Sequence, residues 1–125
     1  MLILNVWTIG KVIVIHCEGR IVRSDAAFRL RDAVVQQRGA RVVLLDLSGV
    51  QALDGGGLGM LIFLQMWTHD RGIRLKLFNP VASVRRSLER THSATTAVEI
   101  AALGEVLSLL GWGLEELLAR IQRAA

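Results

Sequence analysis

Apolar and polar positions change rhythm several times along the chain, and each change marks an element. Residues 2–9 are mostly apolar, and residues 12–17 read Val-Ile-Val-Ile-His-Cys. Such β-branched runs predict two strands, joined by a turn at Gly10-Lys11. From Ser24 the period lengthens. Ala26, Leu30, Ala33 and Val34 fall on one face of a helix predicted over residues 25–37, with Ser24 as N-cap, Asp25 at the positive end of its dipole and Gly39 closing it. Residues 42–46, Val-Val-Leu-Leu-Asp, form an unbroken apolar run, the pattern of a central strand covered on both faces.

Residues 58–69 are apolar nearly all round, which predicts a helix that is mostly buried. Gly72 ends it, and residues 73–78 predict another strand. Asn79-Pro80 turns the chain, and Pro80 suits the first position of a helix running to residue 91. Residues 97–100 predict a short, weaker strand. From Leu103 a stripe of Val106, Leu107, Leu110, Leu114, Leu117, Leu118 and Ile121 repeats at helical spacing. Gly111-Trp112-Gly113 interrupts it, and two glycines in a helix interior cost up to about 2 kcal/mol. A break and one continuous helix are both open there. The order of elements predicts an α/β domain on a mixed sheet of four or five strands, with helices packed against it and an extra C-terminal helix.

At 125 residues the chain has the size of one domain and needs no disulfide or metal to fold. Neither a repeat nor a linker divides it. Its longest apolar stretch is too short to span a bilayer, and its first residues lack the features of a signal peptide, so a cytoplasmic protein without membrane insertion is expected. The lone Cys17 reads as an inert core residue. The net charge is +4, but Arg20, Arg23, Arg29, Arg31, Arg38 and Arg41 alternate with Glu18, Asp25 and Asp32. That mixed surface does not suggest nucleic acid.

Candidate chemistry is sparse. His16, His69 and His92 fall in a strand, at a helix end and in a loop, with no acidic or histidine partner at metal-ligand spacing. No serine stands in a nucleophile elbow. No catalytic residue, metal or cofactor is therefore assigned, and the chain reads as a non-enzyme. The sharpest local feature is Asp54-Gly-Gly-Gly-Leu-Gly59. Three glycines at a helix start expose backbone N–H groups that can cradle an anion. The stretch matches neither a Walker A loop nor a dinucleotide fingerprint, and a tight turn is its simpler reading. Asp54 would repel an anion unless it caps the helix.

Three stretches together resemble the STAS family, in particular the bacterial anti-sigma-factor antagonists. Gly19-Arg-Ile-Val22 with Ala26 resembles the turn after the second strand. Val42-Val-Leu-Leu-Asp-Leu-Ser-Gly-Val50 followed by Asp54-Gly-Gly-Gly-Leu-Gly59 resembles the family strand and its Asp-Ser-Ser/Thr-Gly-Leu-Gly signature. Gly72-Ile-Arg-Leu-Lys-Leu-Phe-Asn-Pro80 and the segment beginning at Val84 resemble the next strand and helix. The resemblance covers residues 1–110, leaving 111–125 as a helical extension of the same domain.

The resemblance implies a regulatory, protein-binding module. Its partner would be a kinase-type anti-sigma factor or another signalling protein, docked on Asp54, Gly55, Gly56, Gly57 and Leu58 together with Arg20, Val22, Ser24 and Asp25. The family commonly phosphorylates the first serine of the signature, and phosphorylation there breaks the complex. Here Gly55 stands at the phosphoacceptor position and Gly56 follows it, so neither carries a hydroxyl. Val22 replaces the aspartate found beside the phosphosite in many members. The resemblance thus implies a domain that has lost its switch. Alternatives are a STAS subunit of a transporter, such as the soluble partner of an ABC ATPase in lipid transport, and a sensor of a small ligand or nucleotide. For the tail, packing on its own domain and homodimerisation are both open.

Overall fold

The computed structural model describes residues 1–90, 100–111 and 114–124. Five strands form one sheet in the order of the chain: β1 (Leu2–Ile9), β2 (Val12–Ile21), β3 (Val42–Leu53), β4 (Arg74–Phe78) and β5 (Ile100–Ala101). β1 and β2 are an antiparallel hairpin, and the other pairings are parallel. Gly10, at φ 58, supplies the left-handed residue that lets the chain reverse over two positions.

Side-chain alternation divides the sheet into two faces. On one, Ile13, Ile15 and Cys17 of β2 and Val43, Leu45 and Leu47 of β3 meet α1 (Asp25–Val35), α2 (Gly55–Asp70) and α3 (Ala82–Arg90) through Leu30, Leu61, Leu64 and Leu88. On the other, Val14, Val42, Leu44 and Phe78 meet α4 (Leu103–Leu110) through Val106 and Leu110. The strand predicted to be central, β3, is buried from both sides.

Several boundaries differ from the sequence reading for physical reasons. β3 runs on to Leu53 instead of stopping at Asp46, past register shifts against β2 between His16 and Glu18 and between Gly19 and Arg20. Asp46 steadies this irregular stretch: its Oδ1 accepts from the Ser48 N–H at 3.0 Å. α1 ends at Val35, with Gln36 as C-cap. α3 starts at Ala82 because Asn79 takes a left-handed φ of 57 and Val81 supplies the first helical carbonyl, accepting from Arg85 N–H at 2.9 Å. Pro80 therefore lies ahead of the helix, not in its first turn.

The predicted tail helix is two helices. Gly111 caps α4 in the left-handed conformation, at φ 67, and α5 spans Leu114–Ala124. The break, one of the two options open from the sequence, is thus a glycine cap. Trp112 and Gly113 lie outside the described residues, as do residues 97–99 of the predicted fifth strand, Thr91 and His92. The side chains of Leu114, Leu117 and Ile121 lie outside them too, and with them the packing of the tail stripe.

The largest departure concerns α2. It starts at Gly55, so the three glycines form its first turn. Nor is it buried all round: Leu61, Leu64 and Thr68 face the core, while Phe63 is 46% and Met66 59% exposed.

Candidate functional site

The two segments singled out in the sequence, residues 20–25 and 54–58, meet at one end of the sheet. β2 ends at Ile21 and β3 at Leu53, which are register partners. The chain leaves both strands on the same side, into α1 and α2. Asp54 ties the exits together. The Arg23 N–H donates to both of its carboxylate oxygens at 3.0 Å, and the Gly57 N–H donates to Oδ1 at 2.8 Å. The Asp54 N–H in turn donates to the Ile21 carbonyl at 3.4 Å. Asp54 is thus the N-cap of α2 and a clamp on the neighbouring turn. These backbone donors, Arg23 first and Gly57 next, hold its carboxyl below the usual carboxylate range.

The three glycines have three different environments. A Cβ on Gly57 would run into the Ile21 carbonyl, so the close approach of α2 to the end of β2 demands glycine there. A Cβ on Gly56 would collide with the side chain and Cα of Arg23. At Gly55 no neighbouring atom lies within 4 Å, and the position is exposed. Leu58 is half-buried on the next turn.

In the facing turn, Arg20 is exposed and Val22 half-buried. Ser24 caps α1, its hydroxyl accepting from the Ala26 N–H at 3.2 Å, and Asp25 opens that helix. At this junction Arg20, Ser24, Asp25, Asp54 and Gly55 are exposed and Val22, Gly56 and Leu58 half-buried, but Gly57, predicted to meet a partner, is buried against Ile21 and holds the turn instead. Arg23, which the sequence reading left out of the site, sits at the centre of the junction. Its signal, a backbone N–H donated to Asp54, is invisible in the side-chain pattern.

Cys17 is fully buried; desolvation, and then the nearby Asp46 carboxylate, keep its thiol protonated far above the ordinary range. This agrees with an inert core residue. His16, placed in a strand by the sequence, is buried with a partner. Its Nδ1 lies 2.7 Å from Asp46 Oδ2, which stands opposite it in the β2–β3 register. Among the described residues no group of three or more His, Cys, Asp or Glu is placed to hold a metal, and no helix is long and apolar enough to cross a membrane.

This geometry has close counterparts in solved structures. The unphosphorylated anti-sigma factor antagonist SpoIIAA superposes with a TM-score of 0.69 at 15% identity, covering 89% of this chain and 99% of that one. An anti-sigma factor antagonist from Mycobacterium paratuberculosis gives a TM-score of 0.69 at 20% identity, covering 89% and 95%. Part of the murine Solute Carrier 26 family member A9 anion transporter gives 0.61 at 18% identity, covering 81% of this chain and 18% of that one. At such identities the likeness is one of fold. No curated protein matches the chain significantly in sequence. A family model described as "Mlab, STAS domain" matches residues 8–110, from the end of β1 through α4. The chain belongs to the STAS domain family.

Proposed function

We propose that the chain is a regulatory, protein-binding STAS domain of the cytoplasm that acts by docking, not by catalysis, and without phosphate control at the start of α2. The carrying observation is the Asp54 clamp. It ties the turn at Arg23 to the start of α2, and the position that the family signature gives to the phosphoacceptor is Gly55. Loss of the hydroxyl costs the fold little, since Asp54 is the cap and a side chain at Gly55 would meet no neighbouring atom within 4 Å. A phosphate there would add about 1.5 to 2 negative charges beside Asp54 and a desolvation penalty at a partner interface. Without a hydroxyl neither arises.

The partner in this reading is a kinase-type anti-sigma factor or another signalling protein. A second reading, a STAS subunit of a transporter, draws on the family model's description and on the fold shared with part of an anion transporter. Both readings use the same docking surface.

The test incubates the protein with candidate kinase-type anti-sigma factors and ATP, followed by intact mass and a binding curve. Binding that is unchanged by ATP, with no phosphoryl adduct, is the expected result. An adduct that weakens binding would place a switch elsewhere and refute the reading. The companion variant is Gly55→Ser, which has room for its side chain. It should gain the adduct and ATP-sensitive binding. Gly56→Ser is the poorer choice, because Arg23 fills that space.

A further inference from the structure

α2 leaves an apolar stripe in solvent. Gly55, Gly59, Phe63 and Met66 are spaced along one side of the helix, and all four are exposed. The stripe starts at the docking surface proposed above and runs down to a shallow, open groove of about 640 Å³ between α1 and α2. Val35, Phe63 and Trp67 form its apolar floor, and Arg31, Arg38 and Arg71 its rim.

The rim has one sign of charge. Arg71 stacks its guanidinium 4.0 Å from the centre of the Trp67 ring and donates to the Trp67 carbonyl at 3.1 Å, so it is held in place with donors to spare. Arg38 is exposed and makes no ion pair among the described residues. Only Arg31 has a carboxylate, Asp32 at 3.0 Å. Asp70 lies beside Arg71 in sequence but is 3.9 Å from His69 Nδ1. Among the described residues, three guanidiniums thus line the groove and only Arg31 is paired with a carboxylate.

We infer that this groove docks an acidic amphipathic segment of a protein partner, its apolar side chains on Phe63 and Trp67 and its carboxylates on Arg38 and Arg71. The inference rests on the protein-docking reading of α2 and names the chemistry of what docks. Charge complementarity selects an acidic occupant. The stripe selects a protein segment over a small ligand, because apolar surface continues along the helix beyond the groove. Trp and Arg, both present in the groove, are among the residues enriched where binding energy concentrates.

The test uses the intact chain and a labelled synthetic helical peptide with Glu on one face and Leu and Trp on the other, followed by fluorescence anisotropy. One control peptide carries Lys for every Glu, and a second carries Ser for every Leu and Trp. The acidic peptide should bind, and each control should bind at least about tenfold more weakly. The double variant Arg38→Glu with Arg71→Glu, both exposed positions, should lose the acidic peptide and gain the Lys peptide, a reversal that misfolding cannot mimic. Equal binding of the acidic and Lys peptides, or no effect of the double variant, would overturn the inference. So would sedimentation with phosphatidylglycerol vesicles in place of peptide binding. The assay needs no native partner. A Leu58→Asp variant that loses the partner yet keeps the peptide would leave both readings standing, whereas phosphate-controlled partner binding with intact peptide binding would sink only the first.

Discussion

The two faces of the sheet are built on different physics. Towards α1, α2 and α3 the sheet presents Ile15, Val43, Leu45, Leu47, Leu75 and Leu77, all essentially inaccessible, with almost no polar atom among them. Towards α4 the same strands bring Val14, Leu44 and Phe78, but also the buried His16–Asp46 pair and Lys76, 5% exposed, with its ammonium 3.3 Å from Glu105 on α4. The first face is held by apolar area and close packing. The second is narrower and adds polar pairs, one between β2 and β3 and one, Lys76–Glu105, that reaches α4. The face carrying α2 is therefore the more uniformly apolar of the two.

This contrast is open to mutation. The largest effect belongs to His16→Ala, which leaves the Asp46 carboxylate buried without its imidazole partner. A loss of about 3–5 kcal/mol is expected from urea unfolding. Replacing both residues by leucine should recover most of that loss, and failure to recover would mean that the pair does more than satisfy itself.

Leu61→Ala, on the apolar face, should cost about 2–5 kcal/mol by the same measurement, with no recovery from any single polar change. Gly57→Ala should cost about 1–3 kcal/mol, because the added methyl meets the Ile21 carbonyl. Gly55→Ala, in open space, should be near neutral. Glu105→Gln should cost at most about 1 kcal/mol, since Glu105 is 40% exposed, and the cost should shrink with added salt.

The smallest and most specific effect concerns pH. The Asp54 carboxyl is lowered in the folded protein by the Arg23 and Gly57 N–H groups. Its contribution is therefore complete above the unfolded carboxylate value, about 3.9. It is lost as pH falls through the lower folded value. The stability difference between the protein and Asp54→Asn should be constant at neutral pH and should diminish only below about pH 4. A difference that already varies near pH 7 would assign it to another group.

The architecture was largely legible because β-branched runs and one amphipathic helix carry clear periods. α2 was not, since a segment apolar at nearly every position has no contrast from which to read a buried side. Phe63 and Met66 look like core residues until the helix is placed. Nor could the His16–Asp46 pair be seen. Its members are thirty positions apart and become neighbours only through the parallel register of β2 and β3. The site was half legible: the glycine signature and the turn at residues 20–25 stood out, but their union through the Arg23 N–H depends on backbone geometry alone. The start of α2 was placed three residues late because glycine is a poor helix former. A capping carboxylate and the approach to Ile21 outweigh that propensity.

The unequal surroundings of the three glycines also constrain the ways in which this domain could change by descent. Glycine codons that end in a pyrimidine become serine codons by a single base change. At position 55 such a change meets no steric barrier. At position 56 it would have to wait for a smaller or displaced Arg23, and at position 57 the backbone of β2 closes the way. Of the three, position 55 alone therefore accepts a hydroxyl without rearrangement, and it is exposed.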